Sequence, residues 1–159
     1  MSSYISYVEV TRAAFPDQPP YQWTKNESAP WTPIIKPLAD SKVVLIASGG
    51  ICHNDQPLFN SIKNDLTFRE IPWDVAVADL RISHDFYDHT DAEKDINCVF
   101  PIERMRELEQ EGFIGGLSEV NFTFMGRIFR KTQLLGDMIP WLIGRLQELK
   151  IDLAFLVPA

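Results

Sequence analysis

Five consecutive apolar residues, Val43-Val44-Leu45-Ile46-Ala47, stop at once at Ser48-Gly49-Gly50. No other segment narrows the fold of this chain so far. β-Branched side chains favour a pleated backbone, and a run with no polar alternation has no face to give to water. Such a strand is buried on both sides, as in a parallel sheet. Parallel strands need crossover connections, usually helices, so an α/β domain is expected from this segment onward.

The rest of the pattern agrees. Leu66 to Ile71 reads as a short strand stopped by Pro72. Val75 to Ile82 fits a strand or a helix equally. Pro101 to Glu111 predicts a helix: Pro101 suits its first position, Ile102, Met105 and Leu108 share a face, and Gly112 suits its end. Val120 to Met125 alternates like a strand and ends at Gly126. Leu134, Leu135, Met138, Ile139, Leu142, Leu146 and Leu149 recur mostly at helical steps, and Pro140 either kinks that helix or makes it restart. Ile151 to Ala159 reads as another buried strand. The order implies a mainly parallel sheet with flanking helices. In such sheets ligands collect beyond the carboxyl ends of strands, and no helix follows this last one to cover its end. A plain edge strand is the alternative.

The first 40 residues differ. They hold six of the 11 prolines, Pro16, Pro19, Pro20, Pro30, Pro33 and Pro37, so an extended, irregular course is expected. They also hold Tyr4, Tyr7, Phe15, Tyr21, Trp23 and Trp31, too many aromatics for a solvated linker. Residues 1–40 therefore read as a Pro- and aromatic-rich arm that wraps over a surface or a partner, with a short helix within 3–14. Residues 41–159 read as the α/β domain.

Composition removes several functions. The chain has 15 Lys and Arg against 22 Asp and Glu, a net charge of −7, so nucleic acid and anionic membranes repel it. Its two cysteines, Cys52 and Cys98, form no disulfide framework and no CxxC pair, and free thiols suit a reducing cytosol. The N-terminus lacks the basic head and apolar run of a secretory signal, and no apolar stretch approaches the ~20 residues that span a bilayer. A cytoplasmic protein that takes no part in a membrane is expected.

Four places hold residues with chemistry. Ser48-Gly49-Gly50-Ile51-Cys52-His53 lets backbone N–H groups point at an anion, but it is neither a GxGxxG nor a Walker sequence and reads more simply as a tight turn. Cys52 and His53 are candidate substrate-binding residues, although neighbours on extended backbone point apart. Ser83-His84-Asp85-Phe86-Tyr87-Asp88-His89 carries two of the three histidines. It reads as a polar loop, as a proton shuttle, or, with His84, His89 and Cys98, as a metal site without a strong ligand motif. Cys98 stands shortly before the predicted helix, whose positive end would stabilise a thiolate; a buried, inert cysteine is the alternative. Glu103-Arg104-Met105-Arg106-Glu107 reads as a solvated helix face. From the residues alone, the reading stops at a cytosolic α/β domain with thiol chemistry as one option.

Four ordered segments carry a resemblance: Asp79-Leu80-Arg81-Ile82-Ser83-His84; Asp95-Ile96-Asn97-Cys98-Val99-Phe100-Pro101 with Ile102 to Leu108; Glu111-Gly112-Phe113-Ile114-Gly115; and Phe124-Met125-Gly126. Together they resemble the selenoprotein B family of the glycine, sarcosine, betaine and D-proline reductases, with the D-proline branch nearest, over about residues 30–159. The arm contributes only Trp31-Thr32-Pro33 and its neighbourhood.

The resemblance implies a selenium- or thiol-dependent reductase subunit that cleaves a C–N bond of a small amino acid or N-methylated glycine. In the family, a strand ending in Val-Pro-small or Thr-Pro-small is followed at once by selenocysteine and then a nearby cysteine. The chain reads Leu156-Val157-Pro158-Ala159, so the redox residue is expected immediately after Ala159, with the chain truncated at a UGA codon; deliberate trimming, or a true short relative without the residue, are the alternatives. No cofactor is then expected within these residues. A partner subunit bearing a pyruvoyl group would activate the substrate amine, the selenolate would attack the α-carbon, and the neighbouring cysteine would release and recycle it. His84 as proton donor and Cys98 as redox helper lie in the matching segments. The 159-residue chain alone is expected to be inactive, and an oligomer is expected. The rival reading is a non-catalytic α/β binding subunit that holds a partner through its aromatic arm.

Overall fold

The structure is a computed structural model and describes residues 7–14, 16–17, 27–62 and 64–159. Contacts divide the chain into Met1–Pro33 and Ile34–Ala159. In the first unit the helix α1 (Tyr7–Ala14) falls within the expected 3–14. Tyr4, Phe15, Pro19, Pro20, Tyr21 and Trp23 of the proposed arm lie outside the described residues.

In the second unit β1 (Lys42–Ala47) is the hub. Along one edge it pairs in parallel with β7 (Leu153–Val157), from Val43 opposite Leu153 to Ala47 opposite Val157. Along the other it pairs in parallel with two short strands in succession, β5 (Gly116–Leu117) and then β6 (Val120–Thr123). β3 (Arg69–Pro72) lies outside β6, antiparallel, with Arg69 opposite Thr123. A separate antiparallel ribbon joins β2 (Ile51–His53) to β4 (Leu80–Ile82). The sheet is therefore mainly parallel, as expected, with an antiparallel edge.

The break between β5 and β6 is stitched by a side chain. Ser118 N–H donates to the Val43 carbonyl at 2.7 Å, and Leu45 N–H then donates to Asn121 Oδ1 at 2.9 Å. Asn121, fully buried, donates its own Nδ2–H to the Ser118 carbonyl at 3.2 Å. The amide thus replaces a missing backbone acceptor in the middle of the core, where an unpaired N–H would cost about 1–3 kcal/mol.

The apolar run of β1 is covered on both faces, which accounts for its lack of polar alternation. Val43, Leu45 and Ala47 pack with Phe100 and with Ile102 and Met105 of α2 (Ile102–Gln110). Val44 and Ile46 pack with Phe122 and with Leu142 of α4 (Ile139–Glu148), backed by Leu146 and Leu149. Pro101 caps α2 rather than opening it, and Gly112 follows the helix with φ +74°. Before α4 come α3 (Lys131–Gln133) and a π-helical turn (Leu134–Met138), in which Ile139 N–H reaches back to the Leu134 carbonyl. That wide turn absorbs Pro140, so the helix restarts just ahead of it. The ambiguous Val75–Ile82 segment divides into a 3-10 turn (Val77–Asp79) and β4.

One expectation needs correction. β7 is not buried on both faces: Phe155 is 46% and Leu156 68% exposed. Among the described residues β7 pairs with β1 alone, so it forms the margin of the sheet. Among the described residues no helix is long and apolar enough to cross a membrane.

Candidate functional site at the carboxyl end of the sheet

The chain leaves β1 through Ser48-Gly49-Gly50, and each step is tied to a neighbouring strand. Ser48 N–H donates to the Val157 carbonyl, Gly50 N–H to the Phe124 carbonyl, and Gly126 N–H to the Ser48 carbonyl, each at 3.0 Å. Ile51 N–H donates to the buried Thr123 Oγ1 at 2.9 Å. These N–H groups have protein partners, so the turn is a strand-to-loop junction and not a phosphate cradle. Gly50 has φ +67°, and a Cβ there would lie 2.6 Å from the Ser83 carbonyl oxygen and 2.9 Å from His84 Cβ. Only glycine lets the Ser83–His84 backbone approach this closely.

The last residues of the chain join the same place. Ala159 N–H donates to Ser48 Oγ at 2.9 Å, and a Cβ on Gly49 would lie 3.5 Å from Ala159 Cβ and 3.5 Å from the Tyr87 hydroxyl oxygen. That hydroxyl donates to the Gly49 carbonyl at 3.0 Å. Burial pushes the Tyr87 phenol up to about 12, so it stays protonated and keeps this bond. The Tyr87 ring stands 4.9 Å from His84 and 4.4 Å from His89, centre to centre.

His84 is only 5% exposed. Its Nδ1 accepts the Phe86 N–H at 3.1 Å, which leaves the proton of the neutral ring on Nε2. Burial, with smaller contributions from His89 and from Arg127, holds its pKa below 6.5 against the pull of Asp85. The Arg127 guanidinium lies 3.8 Å above the Phe86 ring. The carboxyl ends of β1 and β7 thus meet a neutral imidazole, a phenol and backbone carbonyls in one spot.

The other sequence-derived candidates fall elsewhere. Cys52 is fully buried with Phe59 and Met125, its Sγ 3.9 Å from the Arg81 carbonyl. His53, next along β2, is partly exposed and pairs through Nδ1 with Asp55. Cys98 ends a 3-10 turn (Ile96–Cys98), is exposed, and places Sγ 3.9 Å from the Asp91 carbonyl. Among the described residues no three His, Cys, Asp or Glu side chains form a group able to hold a metal ion, so His84, His89 and Cys98 are not brought together as ligands. Tyr87 and Ser48 were not singled out from the sequence. A tyrosine beside two histidines, and a serine after a buried strand, were the available signals.

Residues 16–133 match the family model described as glycine/sarcosine/betaine reductase selenoprotein B. The chain belongs to this family. It is 39% identical over 126 residues to D-proline reductase subunit gamma of Acetoanaerobium sticklandii, covering 79% of the chain and 52% of that protein. It is 34% identical over 98 residues to sarcosine reductase complex component B subunit beta of Peptoclostridium acidaminophilum, covering 58% and 22%. It is 30% identical over 112 residues to glycine reductase complex component B subunit gamma of Symbiobacterium thermophilum, covering 67% and 26%. The chain thus spans about half the length of the first of these relatives and about a quarter of the others. No solved structure matches it. The matched span takes in β1 to β6 and the His84–Tyr87 loop.

Proposed function

We propose that the chain is the strand-and-helix core of a reductase-complex subunit that cleaves a C–N bond of D-proline, glycine, sarcosine or betaine, with D-proline the first candidate. The 39% identity to D-proline reductase subunit gamma carries this reading. The redox residue, a selenocysteine or a cysteine in its place, follows Ala159 in the whole protein. It would stand beside Ser48, Gly49 and Tyr87, with the neutral imidazole of His84 packed on Tyr87 to serve its proton traffic. A pyruvoyl-bearing partner supplies the activating carbonyl, the selenolate attacks the α-carbon as the amine leaves, and a nearby cysteine recycles it. His84 is the proposed proton donor and Cys98 a redox helper. For Cys52 and His53, proposed to bind substrate, the geometry adds no support. The 159 residues alone are inactive in this reading, and the exposed β7 margin suits assembly in the cytoplasm.

The second reading, a non-catalytic α/β subunit that holds a partner, draws on Trp31, which is 85% exposed. Peptide sequencing of the whole protein across Ala159 separates the two. A selenocysteine or cysteine at the next position is expected; an inert side chain there overturns the catalytic reading and leaves the binding subunit.

A further inference from the structure

The segment between β6 and α3 reads Arg127-Ile128-Phe129-Arg130-Lys131, and all but Ile128 are exposed. It gathers cations on a chain whose net charge is −7. Arg127 lies over two rings, 3.8 Å from the centre of Phe86 and 5.2 Å from that of Phe129. Phe129 N–H donates to Asn64 Oδ1, which brings the turn that carries Ile62 to the same place. Phe129 is 69% and Ile62 87% exposed, and Phe86 is half-exposed. Arginine among aromatic side chains is the composition of an interface core, and clustered apolar side chains this open to water mark a surface that another molecule covers.

The charges decide what covers it. Among the described residues Arg127 and Arg130 take part in no ion pair. A guanidinium lying over a ring keeps its N–H edge for an acceptor, and a carboxylate fits that edge with both oxygens. Asp85, beside Phe86, opposes the patch with one negative charge, so the patch stays net positive. The rest of the chain is more acidic than its net charge of −7, and at physiological salt charges act over about 8 Å. A short acidic segment therefore meets the cations alone, whereas a membrane or a nucleic acid, anionic over a far wider span, also meets the acidic surroundings. The patch borders the end of β1: Gly126 N–H donates to the Ser48 carbonyl, and Phe86 stands two residues from His84.

We propose that the Arg127–Lys131 segment, with Phe86 and Ile62, is a docking surface for a short acidic segment of another protein, its carboxylates on Arg127 and Arg130 and an apolar side chain against Phe129 and Ile62. The surface is read from this chain alone and is tested by binding, so its failure and that of the reductase reading are distinguishable. The test follows the Arg127 Nε–H and Phe129 amide signals of the full chain by NMR during titration with a blocked hexapeptide of four glutamates around two leucines. Both signals are expected to move saturably, and binding to weaken as salt is raised. The same peptide with lysine for glutamate moves neither signal, and with serine for leucine it binds several-fold more weakly. By the Phe129 amide, Arg127→Gln and Arg130→Gln each weaken the acidic peptide about threefold and together about tenfold, the range of exposed charge pairs. The remaining amide signals report the fold of each variant. The surface is overturned if neither signal moves with the acidic peptide, if the lysine peptide moves them as far, or if the folded double variant binds as the parent does. Tighter binding of phosphatidylglycerol vesicles or of single-stranded DNA at the same signals overturns the protein partner. Concentration-dependent movement without peptide, lost in the double variant, makes the patch a contact between copies and also overturns the proposal.

Discussion

Gly50 and Gly112 share a left-handed backbone, with φ +67° and +74°, but not a setting. A Cβ on Gly112 meets nothing within 4 Å, whereas one on Gly50 strikes the Ser83 carbonyl and His84. Gly112→Ala is therefore expected to cost about 1 kcal/mol, the conformational penalty alone. Gly50→Ala should cost about 3 kcal/mol, since strain and a backbone clash add, and it should shift the His84 resonances. Urea denaturation of both variants checks the ordering. His84 supplies a second residue-scale test. Burial favours its neutral form, so the folded chain binds this proton less tightly than the unfolded chain does. Above pH 6.5 both states are neutral and nothing is lost; below it the unfolded chain takes the proton first, and stability falls until folded His84 is also protonated. His84→Asn, whose amide oxygen can still accept the Phe86 N–H, should flatten the decline just below pH 6.5 in a thermal-unfolding series. The acid-shifted Glu119 and Asp152 titrate lower and leave that window unchanged.

At the scale of elements, α4 contains a glycine with no structural duty. Gly144 sits inside the helix at ordinary φ, and a Cβ there meets nothing within 4 Å. Gly144→Ala should stabilise the chain by about 0.5–1 kcal/mol, read as a rise in melting temperature. The elements that were legible in the sequence were those with a burial pattern of their own. β1 is apolar on both faces because α2 and α4 cover both, and α2 shows its stripe and its Gly112 stop. β5 and β2 were not legible: each has three residues or fewer, and β5 runs straight into Ser118, whose polarity reads as a loop. β7 was legible as a strand, and its place at the margin only as the alternative reading, because hydrophobicity records what can be buried and not what neighbour does it. The site was half legible. His84 lay in a stretch marked by its histidines, but the roles of Ser48, Gly50 and Tyr87 depend on strands that meet only in three dimensions.

For the whole molecule, membership of the selenoprotein B family and the convergence of β1, β7, Tyr87 and His84 form one account. In the proposed function the chain is the platform on which a nucleophile beyond Ala159 would work, with a partner supplying the electrophile. The most direct measurement is a dithiol-dependent assay of the whole protein assembled with the pyruvoyl-bearing partner that the proposed function requires. Reductive opening of the D-proline ring, or cleavage of glycine, sarcosine or betaine, is expected, with loss of activity on alkylation of the residue after Ala159. Assembled, partner-loaded complex that cleaves none of the four substrates would contradict the account.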